Sequence, residues 1–172
     1  FDQLMQVRSV ENQLIFVTRN PKELLFKEFS ILFPSSRMPS EQFIKKFLDT
    51  YLQAFLVYES WFPANRALVF YEDFIFQKET MLLQLLEFMN EEPTYLDDFM
   101  ENIEEYTSKL LASYTKQHQR KAGGVSSVDG PKTIYHSKEA APEILIYIDE
   151  YIRNMAPQIW EKYLKRFEEL SP

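Results

Sequence analysis

The sequence of 172 residues contains no cysteine and only two histidines, His118 and His136. Without cysteine, the chain has no disulfide, no thiolate nucleophile and no thiolate ligand for zinc. Two histidines are too few for most histidine-based metal sites. Both histidines are interpreted as structural or surface residues, and we expect no metal site.

Positive charge is also in short supply. The chain has 19 Lys and Arg residues against 26 Asp and Glu residues, a net charge of −7. An acidic surface argues against a nucleic-acid partner, although a local basic cluster can still hold a small anion. The sequence contains no apolar run of the roughly 20 residues that span a bilayer and no secretory signal peptide. We therefore expect a cytoplasmic protein with no membrane span.

Glycine is scarce as well, with three residues against 15 Phe and 10 Tyr, and this favours long helices over tight hairpins. Two short apolar runs, 13–18 and 67–71, predict buried strands of the parallel-sheet type. After the first run, Asn20 is a good N-cap and Pro21 a good first helical residue. A helix is therefore expected from there towards Phe33.

The rest of the chain is dominated by helical patterns. Ser40 is placed to cap a long helix whose apolar stripe extends from Phe43 to Leu56. The segment 115–137, which holds all three glycines, interrupts the pattern. Further helices are predicted at about 77–89, at about 94–114, from Pro142 and from Pro157.

Two parallel strands alone cannot bury both faces of a sheet and satisfy both of its edges. The sequence offers no other convincing strand. The pattern predicts an α/β fold with a parallel sheet, helix-rich because its N-terminal strands would precede Phe1. We expect one domain over 1–172 that is N-terminally incomplete.

Candidate binding residues follow both predicted strands. In open α/β sheets, ligands bind beyond the carboxyl ends of the strands, where helix N-termini offer free amides to an anion. Arg19 would add a planar clamp for phosphate; the alternative is a structural arginine paired with a carboxylate. Tyr71 could face a ligand at the same edge. Glu72 and Asp73 could hold the arginine or cap the next helix; the alternative is that all three are ordinary strand-end residues.

A basic cluster lies in the glycine-containing segment. Arg120 and Lys121 precede Gly123 and Gly124, so that side chains and backbone amides could converge on an anion. The alternative is a solvated loop.

The order of these segments resembles the sulfotransferases that use 3′-phosphoadenosine 5′-phosphosulfate (PAPS). An apolar strand running into Arg-Asn-Pro-Lys-Glu, 19–23, is similar to the family's 3′-phosphate-binding Arg-Asn-Pro-Lys-Asp. Tyr-Glu-Asp at 71–73 matches a later strand end of the family. Thr-Ser at 107–108 and Arg-Lys-Ala-Gly-Gly at 120–124 match its Thr-Ser and Arg-Lys-Gly segments.

The resemblance implies a P-loop-like three-layer fold and transfer of a sulfuryl group from PAPS to a hydroxyl or amine. The acceptor would be a small molecule or a carbohydrate, and the product would be 3′-phosphoadenosine 5′-phosphate (PAP). By position, Arg19 is expected to bind the 3′-phosphate, and Tyr71 and Thr107 to lie along the adenosine. The groups expected to close over the same phosphate are Arg120, Lys121 and the backbone at Gly123.

The chain also departs from the family pattern. Lys27 stands where the family has a serine that contacts the 3′-phosphate, and Ala122 replaces a glycine. The family's main phosphate loop and catalytic base would precede Phe1, so no catalytic residue is assigned. We expect a distant, bacterial member of the family, inactive as this segment alone. Two alternatives stay open: a non-catalytic helical interaction module with a sulfotransferase-like fold, and another P-loop-like nucleotide binder.

Overall fold

A computed structural model describes residues 11–33, 38–94, 96–97, 100–102, 105 and 140–168. The chain divides into two compact units, one of Phe1–Ile75 with Tyr135–Pro172 and the other of Phe76–Ile134. Within the described ranges, no helix is both long and apolar enough to cross a membrane.

The first unit contains a two-stranded parallel sheet formed by β1 (Leu14–Thr18) and β2 (Arg66–Phe70). The strands pair in register, with Leu14 opposite Arg66 and Thr18 opposite Phe70. The connection between them consists of α1 (Pro21–Leu32), α2 (Glu41–Ser60) and a 3-10 turn (Pro63–Asn65). The expectation of an α/β fold with a parallel sheet in a helix-rich chain is thus confirmed.

Helical segments make up most of the remainder. After β2 come α3 (Tyr71–Phe76), α4 (Lys78–Met89) and α5 (Pro142–Met155). The last described segment, 157–167, is irregular, with an α-helical turn (Pro157–Ile159), a π-helical turn (Trp160–Leu164) and a 3-10 turn (Lys165–Phe167). The described residues of the helix predicted at 94–114 are helical.

The two N-caps predicted from the sequence are confirmed. The Asn20 side chain accepts a hydrogen bond from the Lys22 N–H at 3.0 Å, and Pro21 is the first residue of α1. The Ser40 Oγ accepts from the Phe43 N–H at 3.2 Å, so α2 begins where it was expected to begin. Each side chain satisfies an amide that has no partner inside its own helix.

Two predictions about the strands are wrong. β1 was expected to be buried on both faces, but Val17 is 63% exposed and Ile15 38% exposed. Among the described helices, those of the hydrophobic core pack on the side of β1 that carries Phe16. The second strand was expected to include Tyr71, but it ends at Phe70, and Tyr71 is the first residue of α3. Glu72 and Asp73 favour this early helix start, because acidic side chains stabilise the first turn of a helix.

The hydrophobic core of the first unit gathers α2, α5 and the segment 157–167 against β1 and α1. Phe55 and Leu48 of α2 and Ile148 and Ile152 of α5 are fully buried within it. The Phe16 ring packs edge-on against Phe55 with centroids 5.1 Å apart. This contact fixes the middle of β1 against the C-terminal half of α2.

Candidate functional site

A cavity of about 390 Å³ opens where β1 ends and α1 begins. Its walls come from β1, α1 and α2, and from Tyr71 at the start of α3. Arg19, Lys27 and Tyr71, all predicted from the sequence as cofactor contacts, lie in the lining of this one cavity. The other four predicted contacts, Thr107, Arg120, Lys121 and Gly123, lie outside the described residues, as do His118 and His136.

Arg19 is a buried cation among carboxylates. Only 7% of the residue is exposed. Its Nε lies 3.5 Å from Glu72 Oε1, and its Nη2 lies 3.9 Å from Glu23 Oε2. The expectation that an acid of the 71–73 segment holds the arginine is confirmed for Glu72. Both distances exceed the 2.7–2.9 Å typical of a charge-assisted hydrogen bond, so neither contact is a tight bidentate fork.

The aromatic ring of Tyr71 completes the environment of the guanidinium. Arg19 Cζ lies 4.9 Å from the centroid of that ring, within the range of a cation–π interaction. Because Tyr71 also lines the cavity, its ring joins the buried cation to the open space beside it.

Two hydrogen bonds hold the turn between β1 and α1. The Tyr51 hydroxyl of α2 donates to the Arg19 carbonyl oxygen at 2.8 Å. The Asn20 N–H donates to Glu72 Oε1 at 3.1 Å. Burial raises the pKa of Tyr51 well above its usual range, so its hydroxyl stays a neutral donor. The turn that carries Arg19 is therefore tied to both α2 and α3.

The carboxyl group of Glu72 lies in a poor environment for a negative charge. Burial raises its pKa above the usual value, and the nearby Glu23 carboxylate acts in the same direction. The amide hydrogen bonds, including that from Asn20, and the positive charge of Arg19 oppose this shift. Glu72 Oε2 has no hydrogen-bond partner among the described residues.

The rest of the cavity combines an apolar body with one exposed cation. Phe16, Leu24, Phe47 and Ala54 supply apolar surface, and Lys27 of α1 is exposed. Chemically, these walls suit a ligand with a flat or apolar body and at least one anionic group. Among the described residues, no group of three or more His, Cys, Asp or Glu side chains could hold a metal ion.

The aromatic residues of α2 were expected to pack in the core rather than to line a pocket. Phe47, Tyr51 and Ala54 all line the cavity, whereas the sequence indicated a core stripe for this helix. Their spacing of four and three residues places them on one face of the helix. Periodicity finds that face, but it does not distinguish a core contact from a cavity wall.

Comparison of the chain with protein-family models, with curated proteins and with solved structures gave no match.

Proposed function

We propose that this chain forms the donor-binding part of a PAPS-dependent sulfotransferase, which transfers a sulfuryl group to a hydroxyl or amine acceptor. The observation that carries the proposal is the convergence of Arg19, Lys27 and Tyr71 on one cavity at the carboxyl end of β1. Open α/β folds bind ligands at this edge of a sheet. The proposal includes the finer fold assignment, a P-loop-like three-layer fold.

The chemistry of the cavity supports a nucleotide that carries a terminal phosphate. In PAP and PAPS, the ribose carries an aromatic base and has a phosphate at both its 3′ and its 5′ position. The apolar walls and the Tyr71 ring suit the base, and Lys27 and Arg19 suit the 3′-phosphate. We propose that Thr107, Arg120, Lys121 and Gly123 complete this site.

The proposed reaction is an in-line transfer that requires little covalent participation by the protein. Binding would align the acceptor with the sulfuryl group and would neutralise the charge that develops on the leaving phosphate. Arg19 and Lys27 would hold the 3′-phosphate at the far end of the donor and so fix its position. No described residue is assigned as the catalytic base.

One observation favours a second candidate, the non-catalytic interaction module. Arg19 is buried and paired with Glu72 and Glu23, which is the arrangement of a structural arginine. Under this alternative, the cavity would show no preference for a 3′-phosphate.

Calorimetric titration with PAP, and with 5′-AMP as the control, tests the proposal. The two ligands differ in the 3′-phosphate alone. Because a hydrogen bond to a charged group contributes about 1.5–3 kcal/mol, PAP is expected to bind at least about tenfold more tightly than 5′-AMP. Equal affinities, or no binding of PAP by the folded protein, would exclude the donor site and favour the interaction module.

Lys27→Ala is the variant of choice, because Lys27 is exposed and substitutions of exposed residues usually change stability little. Removing this charge is expected to weaken PAP binding about fivefold, to leave 5′-AMP binding unchanged and to reduce the salt dependence of PAP binding. The matched control is Lys165→Ala, which removes an exposed cation outside the cavity. An equal loss in both variants would mean that overall charge, and not the cavity, attracts the ligand.

A further inference from the structure

Glu72 is the group beside Arg19 that the proposed reaction leaves unexplained. It lies in the first turn of α3, with 8% of the residue exposed. Oε1 accepts the Asn20 N–H at 3.1 Å and lies 3.5 Å from Arg19 Nε. Oε2 is buried and has no hydrogen-bond partner among the described residues.

The charged and titratable groups that face Glu72 come from three elements. Arg19, at the end of β1, is its cation. Glu23 of α1 is a second carboxylate, 3.9 Å from the same guanidinium. Tyr51 of α2 is neutral, and its hydroxyl donates a hydrogen bond to the Arg19 carbonyl oxygen. Among the described groups of this cluster, two buried carboxylates therefore share one guanidinium.

A phosphate bound at Arg19 would add a third anion to this cluster. Like charges at such distances repel one another strongly in a buried site, where water screens little. The repulsion falls if one carboxylate becomes a neutral acid. Glu72 is the group best placed to do so, because its carboxyl is already disfavoured as an anion by burial and by Glu23.

We propose that Glu72 is the internal counter-anion of Arg19, and that a phosphate-bearing ligand binds at Arg19 together with one proton taken up by the Glu72 carboxyl. This inference rests on the proposed function, and it adds a regulatory property to the same site. Glu72 positions Arg19 in the ligand-free protein, and it becomes neutral when the phosphate binds to the guanidinium. The proton comes from the solvent and returns to it on release.

Proton uptake makes the affinity depend on pH. Where Glu72 is ionised in the free protein, the affinity for PAP falls about tenfold for each unit rise in pH. Glu72→Gln imitates the neutral acid. This variant should bind PAP more tightly than the wild type above about pH 7, and with no such dependence on pH.

The experiment is calorimetric titration with PAP above about pH 7, where the second proton of a phosphate monoester (pKa about 6) has already dissociated. The titration is run in Tris and in HEPES, which differ in enthalpy of ionisation. The difference between the two observed binding enthalpies gives the number of protons taken up. The wild type should take up close to one proton per PAP, and Glu72→Gln none. Asp73→Asn is the matched control, because Asp73 pairs instead with Arg166; it should behave as the wild type does.

The outcomes separate the two proposals. If the wild type binds PAP but takes up no proton, the role of Glu72 is overturned, whether or not Glu72→Gln folds, and the donor site stands. Equal proton uptake in the wild type and in Glu72→Gln overturns it in the same way. If neither protein prefers PAP to 5′-AMP, the proposed function fails and this inference fails with it.

Discussion

Asn20 and Glu72 show how far single residues could be predicted. Asn20 was recognised as an N-cap because its side chain and the following proline suit the first turn of a helix, and the structure confirms it. Glu72 was expected to hold the arginine or to cap a helix, and it pairs with Arg19. The second carboxylate on Arg19, Glu23, carried no comparable signal, because a glutamate in a first helical turn is ordinary.

Tyr71 allows a test of the ring that joins Arg19 to the cavity. If the donor nucleotide binds there, Tyr71→Ala should weaken PAP binding about tenfold, because stacking of a base on an aromatic ring contributes about 1–3 kcal/mol. Tyr71→Phe is the matched control, since it keeps the ring and removes only the hydroxyl; its affinity should equal that of the wild type. Isothermal titration calorimetry with PAP measures the affinities of the wild type and the two variants. A loss in Tyr71→Phe as large as in Tyr71→Ala would assign the effect to the hydroxyl.

At the scale of elements, local signals predicted where helices begin more reliably than how strands are covered. The Asn-Pro pair and Ser40 located the starts of α1 and α2. The apolar run of β1 indicated a strand buried on both faces, but Ile15 and Val17 are exposed on one side. The composition of a strand shows that it can be buried. Whether both faces are covered depends on elements elsewhere in the chain.

The segment 157–167 shows the same limit. The sequence predicted one helix from Pro157, but the backbone passes through α-helical, π-helical and 3-10 turns. The interruption accompanies dense tertiary packing: Trp160, Leu164 and Phe167 are all at most 2% exposed. Helix propensity is a property of the local sequence and does not predict this packing, because the packing partners lie in α2, α5 and β2.

Ser40 provides a prediction at this scale. Its Oγ accepts the Phe43 N–H at the start of α2 and lies at the surface, so its replacement disturbs nothing else described. Ser40→Ala should lower the free energy of unfolding by about 1 kcal/mol, and Ser40→Asp, which restores an acceptor, should keep wild-type stability. Urea denaturation measures both. Equal stability of Ser40→Ala and the wild type would mean that water accepts the Phe43 N–H hydrogen bond as effectively as the Ser40 side chain does.

At the scale of the whole first unit, the decisive contacts join residues that are far apart in sequence. Phe16 of β1, Phe55 of α2 and Tyr163 of the segment 157–167 meet in one aromatic group, with centroids 5.1 and 5.4 Å from that of Phe55. Each of these aromatic residues was predictable as apolar or buried. The contact between them was not predictable, because a periodic pattern shows which face of an element is buried but not which element packs against it. The cavity depends on this packing, since α2 supplies one of its walls.

An ion pair also connects the two sequence segments of this unit, 1–75 and 135–172. Lys22 of α1 is 3% exposed, and its Nζ lies 2.6 Å from Asp149 Oδ2 of α5. Burial raises the pKa of Asp149, and the hydrogen bond from Lys22 opposes this shift. Burial thus disfavours the charge of Asp149, and the contact with Lys22 stabilises it.

This balance predicts different results from removing one partner and from removing both. Asp149→Leu should lower the free energy of unfolding by about 3 kcal/mol, because Lys22 then loses the carboxylate with which it pairs in a buried site. Replacing both residues, Lys22→Met with Asp149→Leu, should recover most of that loss, because neither buried charge is left. Chemical denaturation of Lys22→Met, of Asp149→Leu and of the double variant closes the cycle. Additive losses in the double variant would show that the two residues stabilise α1 and α5 independently, and that the pair does not join the two helices.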